Sequence, residues 1–157
     1  MALAKVALAL IATGLLSSGA ASAQEQTLPF KLVITTTSDE TMELPSFTDQ
    51  SVMAHEAVGV AYFEDGRIAF KRFAMAAVGG QEEGNWLGLS TYTFENGDAL
   101  NVKFAGNWSP DGAEVNYTVL SGEGAFEGAT GTGKITGVNA SWEDASLFEG
   151  SFTIQVP

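Results

Sequence analysis

The sequence predicts an all-β domain, an eight-stranded antiparallel up-and-down barrel, and three features carry that prediction. Tight-turn pairs recur at short intervals, as Asp65-Gly66, Asn96-Gly97 and Asp111-Gly112, and Asp-Gly or Asn-Gly between alternating runs marks a hairpin. Beyond residue 23 no stretch sustains a helical hydrophobic period, and eighteen glycines stand ready for corners. Closing such a meander into a barrel removes the edges that an open sheet would have to protect.

The strands follow in order. Residues 29–36, PFKLVITT, form a β-branched first strand. Residues 37–50, rich in Thr, Asp, Glu, Ser and Pro, read as a loop. Residues 52–63 and 67–76 are strands two and three across Glu64-Asp65-Gly66. A polar glycine loop over 78–85 leads to strand four, 86–94. Strand five, 99–107, puts Leu100, Val102 and Phe104 on one face and Asn101 and Lys103 on the other. Strand six covers 114–120, strand seven 133–138 and strand eight 147–156. In the last, Phe148, Phe152, Ile154 and Val156 share one face, while Glu149, Ser151, Thr153 and Gln155 share the other. Eight strands leave an interior that side chains fill or that holds one small ligand. Alternation alone leaves both readings open, along with packing between subunits.

The chain begins with Lys5, an apolar run over residues 6–16 and small residues ending Ala21-Ser22-Ala23. That pattern is a secretory signal peptide with cleavage expected after Ala23, too short for a membrane span. Residues 24–157 are then one exported barrel domain, periplasmic or secreted. No cysteine is present, so packing and hydrogen bonds alone must hold it. Its six basic residues against nineteen acidic ones give a net charge of −13. Such a field repels phosphate backbones and anionic lipid heads, which argues against nucleic-acid and membrane-surface partners.

Most candidate chemistry falls away on spacing. Residues 128–134, GATGTGK, approach a phosphate-binding loop, but Ile135 stands where the metal-holding hydroxyl belongs and a strand pattern follows instead of a helix. His55 is the only histidine. Its neighbour Glu56 must point to the opposite face of a strand, so His55 reads as a surface or pocket-rim residue rather than an oriented general base. One histidine and no cysteine exclude the usual zinc sets. The doublets Asp39-Glu40, Glu82-Glu83 and Glu143-Asp144 lack the spacing of a calcium hand and read as solvated loop charge. No metal or other cofactor is expected. Three Asn-x-Ser/Thr triplets, at Asn107, Asn116 and Asn139, read as chance in a chain whose leader has a bacterial look.

The aromatic set is more informative. Trp86, Tyr92, Phe94, Phe104, Trp108, Tyr117, Phe148 and Phe152 all fall on strands, and several must meet in so small a barrel. Trp86, Ser90 and Tyr92 share a face, setting hydroxyls beside an apolar wall. With Phe104, Tyr117 and Phe152 they are the candidate pocket; a filled core is the alternative.

The most distinctive stretch is 122–135, GEGAFEGATGTGKI. Its pattern, Gly122-x-Gly124-x-Phe126-Glu127-Gly128-Ala129-x-Gly131-x-x-Lys134, reads as a shaped link between strands. With Tyr92-Thr93-Phe94 and the strands around it, the link resembles the allene oxide cyclase family and its dirigent relatives. The resemblance implies an eight-stranded barrel and a cyclisation steered by proximity and shape rather than by a nucleophile. It also implies trimers formed through the outer walls. It carries over no catalytic residue: residues 31–36 offer neither the Glu nor the Asn of the plant members, and Ala61 stands near the position of their cysteine. Two functions are therefore expected of different classes. One is an exported barrel that binds a small hydrophobic molecule in its lumen and acts as a cyclase or isomerase. The other is a filled, non-catalytic barrel that works through its outer surface.

Overall fold

The computed structural model describes residues 24–43 and 45–157. The leader read over residues 1–23 lies outside the described residues. Eight antiparallel strands close into a barrel in sequence order: β1 (Gln24–Glu43), β2 (Ser51–Phe63), β3 (Ile68–Gly79), β4 (Gly84–Phe94), β5 (Ala99–Ser109), β6 (Gly112–Glu123), β7 (Thr130–Val138) and β8 (Ser146–Val156). Among the described residues a single 3₁₀ turn, Gly124–Phe126, interrupts them. The seam is β1 on β8, from Gln24 opposite Val156 to Ile34 opposite Ser146.

Three boundaries correct the sequence reading. Residues 37–43, read as loop and including Asp39-Glu40, continue β1, because β2 offers a ladder that extends from Ser38 opposite Glu56 to Glu43 opposite Ser51. A bulge at Thr37 opens this segment, and the Thr37 hydroxyl donates to the Glu56 carbonyl at 3.0 Å. The glycine loop over 78–85 shrinks to residues 80–83, since Gly79 still pairs with Gly84. The link over 122–135 shrinks to residues 124–129 between the longer β6 and β7. Polar side chains hid these extensions; backbone pairing decided them.

The link is shaped by two positive-φ glycines, Gly124 and Gly128, and one hydrophobic anchor. Gly124 takes φ +64°, reversing the chain, and the Asp98 carboxylate accepts from the Ala125 amide at 3.1 Å. Phe126 then turns inward and is buried, 4.9 Å from the ring of Phe94, which lies 5.2 Å from that of Phe63. Arg67 lies over these three rings at 5.3 to 5.9 Å and is held by Asp65. One end of the barrel is thereby plugged. Lys134 faces outward in an ion pair with Glu114 at 2.8 Å.

Inside, the strands alternate as their pattern demands. Leu28, Phe30 and Leu32 of β1, Leu100, Val102 and Phe104 of β5, and Phe152 and Ile154 of β8 form one core. Gly150 marks where β7 crosses closely: a Cβ there would meet the Lys134 carbonyl and Ile135 Cα. Gly150→Ala should therefore cost about 2–3 kcal/mol, as overpacking against backbone does. The midpoint of urea unfolding reads it; an unmoved midpoint would show that the two strands can part.

Candidate functional site

Strand β3 carries the sequence AFKRF at 69–73. Successive side chains point to opposite faces, so of the adjacent cations Lys71 and Arg72 one must enter the barrel. Ala69 and Phe73 are apolar and face inward, which places Lys71 in the lumen and Arg72 outside. Lys71 is only 2% exposed.

Its ammonium nitrogen finds hydroxyls and rings rather than a carboxylate. Lys71 Nζ donates to Tyr117 Oη at 2.9 Å, and Tyr92 Oη donates to the same oxygen at 3.1 Å. The rings of Phe73, Tyr117, Tyr92 and Phe104 surround Nζ at 4.3, 5.2, 5.3 and 5.5 Å from their centroids. Among the described residues the ion pairs are Lys31 with Glu149, Arg67 with Asp65 and Lys134 with Glu114, and Lys71 joins none. Burial pushes its pKa down to about 7. The rings oppose that shift by favouring the cation. Burial likewise holds the hydroxyls of Tyr92 and Tyr117 well above the usual phenol range, so both stay protonated.

Lys71 sits at a boundary along the barrel axis. Toward the plugged end, Phe30, Ala61, Tyr92, Phe152 and Ile154 are fully enclosed. Toward the other end, Ile34, Phe73, Met75, Trp86 and Phe148 are half-buried, among the buried smaller side chains of Ala57, Ala77, Val115 and Ile135. The lumen is therefore a solid aromatic floor beneath a looser basin, with the lysine at the floor. Three polar atoms shielded from solvent in the basin half have no protein hydrogen-bond partner: His55 Nδ1, Trp86 Nε1 and Ser90 Oγ. Such groups cost about 1–3 kcal/mol each unless something completes them. Trp86 stacks on Trp108 at 5.1 Å, and Trp108 lies flat over Gly84. Beyond them the loops after β1 and β3 border a cleft of about 1250 Å³, with Glu43, Asp49, Glu82 and Glu83 at its rim.

The residues picked from the sequence all face the lumen. Tyr92, Phe104, Tyr117 and Phe152 meet as one aromatic group, Phe152 within 5.3 Å of both tyrosine rings and Phe104 5.9 Å from Tyr117. Ser90 lies one inward position nearer the mouth, and Trp86 two further. His55, read as a surface or rim residue, turns inward and is half-buried. Lys71 was missed, although the doublet Lys71-Arg72 within a barrel strand is itself the signal. No group of three potential metal-ligating side chains occurs among the described residues.

The outer wall has its own character. Leu87 and Leu89 of β4 are exposed by 64% and 61%, and Phe70 and Val78 of β3 are exposed on the same outer wall. A groove of about 440 Å³ crosses this wall past Val58, Arg72, Leu89 and Leu120.

No protein-family model matches the chain, and no curated protein does so significantly. Solved structures do. Two pterocarpan synthase dirigent proteins, GePTS1 and PsPTS1, superpose with TM-scores of 0.59 and 0.58 at 15% and 13% identity. Each covers 85% of this chain, and the chain covers 91% and 96% of theirs. A protein with unknown function from the DUF3224 family of Shewanella oneidensis MR-1 matches with a TM-score of 0.52 at 13% identity, over 83% of this chain and 96% of its own. At such identities the likeness is one of fold: a dirigent-like barrel.

Proposed function

We propose that this chain is an exported barrel that binds a small hydrophobic molecule in the mouth half of its lumen, held by the Lys71–Tyr117–Tyr92 chain and steered toward cyclisation or isomerisation. One observation carries the reading: a hydrogen-bonded polar chain without a carboxylate lies at the floor of a half-buried aromatic basin. A purely structural lysine is cheaper to leave in water, and burying an unpaired cation is costly. Apolar walls with a few convergent polar groups are how ligand pockets are built. Two structural neighbours named as pterocarpan synthases support a barrel of this shape acting on small molecules, and the resemblance of the 122–135 link to allene oxide cyclases supports steering as the mode of action. The acidic rim disfavours anionic ligands.

Native mass spectrometry of protein purified from its own host tests this. An apolar molecule retained near one per chain is expected; a clean apo mass with no uptake of a fluorescent lipid probe would sink the reading. N-terminal sequencing of the exported form is expected to begin at Gln24.

The second reading is assembly through the outer wall, favoured by the exposed Val78, Leu87 and Leu89 on the outer face of β3 and β4. A trimer is proposed, with size-exclusion light scattering as its check. Leu87→Lys with Leu89→Lys should return it to monomer.

A further inference from the structure

Resting on the luminal reading above, we propose that the ligand class is a hydrophobic aldehyde or ketone, captured as an imine on Lys71 Nζ with Tyr117 and Tyr92 as the proton relay. Four features of the site converge on this chemistry.

The amine has no anionic partner among the described residues, so nothing holds it as a permanent cation. Titratable groups facing it are Tyr117 of β6 and Tyr92 of β4, with His55 of β2 toward the mouth and Arg67, in the turn before β3, toward the plug. None of these is a carboxylate. Desolvation accordingly leaves much of the amine neutral near pH 7, with its lone pair available. A hydroxyl 2.9 Å away both accepts and donates protons, and a second hydroxyl extends the chain. The half-buried rings on the mouth side suit a flat, conjugated carbonyl compound, and the enclosed floor excludes the water that would reverse the bond.

The step balances without an oxidant or reductant. The Nζ lone pair attacks the carbonyl carbon, the C=O π bond breaks, and one N–H proton passes through Tyr117 to the oxygen to give a carbinolamine. The C–O bond then breaks, the hydroxyl leaves as water with the second N–H proton, and the C=N bond forms. For a carbonyl with hydrogens on the adjacent carbon, the imine makes those hydrogens acidic, which is the chemistry an isomerisation or ring closure needs.

The test uses 2-naphthaldehyde with cyanoborohydride, which reduces an imine to a stable amine, followed by peptide mapping. 2-Naphthalenemethanol, which lacks the carbonyl, reports luminal binding through quenching of Trp86 and Trp108. The expected result is adduct at Lys71 formed roughly tenfold or more faster than at Lys31, Lys103 and Lys134 at pH 7, where ordinary lysines are protonated. Its rate should rise with pH through about 7 as the amine loses its proton. Lys71→Arg should abolish that adduct, and Tyr117→Phe should slow it severalfold more than it weakens alcohol binding. Alcohol binding without preferential labelling of Lys71 would overturn the imine and leave the luminal reading standing. Failure of both probes would overturn both.

Discussion

Replacing Lys71 by Met should stabilise the protein by about 3 kcal/mol at pH 6, raising its melting temperature by roughly ten degrees. The pKa of Lys71 falls from 10.5 unfolded to about 7 folded. At about 1.4 kcal/mol per unit, that shift is a folding penalty of about 5 kcal/mol whenever the lysine is charged in both states. Loss of the Tyr117 hydrogen bond and the ring contacts in the variant offsets about 2 of these. Below pH 7 both states are protonated and the penalty is complete. Between pH 7 and 10.5 the unfolded chain keeps a proton that the folded chain has lost, so wild-type stability climbs with pH. Above about pH 10 the unfolded tyrosines ionise while Tyr92 and Tyr117 remain neutral in the barrel, and stability falls again. Wild type should therefore be most stable near pH 9–10, and Lys71→Met should lack the climb. Urea unfolding of both proteins from pH 6 to 11 measures it; parallel curves would refute the account.

The second large effect is expected at Phe152. Its ring is fully enclosed and lies 5.2 Å from Phe30, 5.2 Å from Tyr92 and 5.3 Å from Tyr117. Phe152→Ala removes the wedge between both tyrosines and the β1 wall and should cost about 3–5 kcal/mol. The space also admits solvent near the tyrosines, so the Lys71 pKa should move back up toward 10.5 and the alkaline climb in stability should shrink. Denaturation gives the first quantity and carbon-13-labelled lysine titration the second. A loss below about 1 kcal/mol would mean that the barrel collapses around the gap.

The barrel was legible because its corners are written locally: Asp65-Gly66 and Asn96-Gly97 form the hairpins their residue types demand, with Gly66 and Gly97 at φ +90° and +91°. The far half of β1 was not, because residues 37–43 are polar on both faces and only the partner strand makes them extended. Tyr92 and Tyr117 could be read as luminal from alternation. That their hydroxyls meet could not, since it depends on the register of β4, β5 and β6 together. Lys71 was hidden because lysine is ordinarily a solvent-facing residue. Where a strand is paired on both sides, as β3 is at Lys71 and Arg72, two consecutive charges must point to opposite faces of the wall.

The pairing of Gln24 with Val156 has a kinetic meaning. The first and last strands are neighbours, so the barrel closes only when the final segment of the chain arrives, and that contact spans nearly the whole domain. Closing so long a loop is slow compared with forming any of the seven hairpins. Until then β1 and β7 each present an unpaired edge above an apolar face, and either can be satisfied by the β8 of another copy as well as by its own. Dilution during refolding should therefore favour the monomeric barrel, and crowding should favour exchange of the last strand between chains.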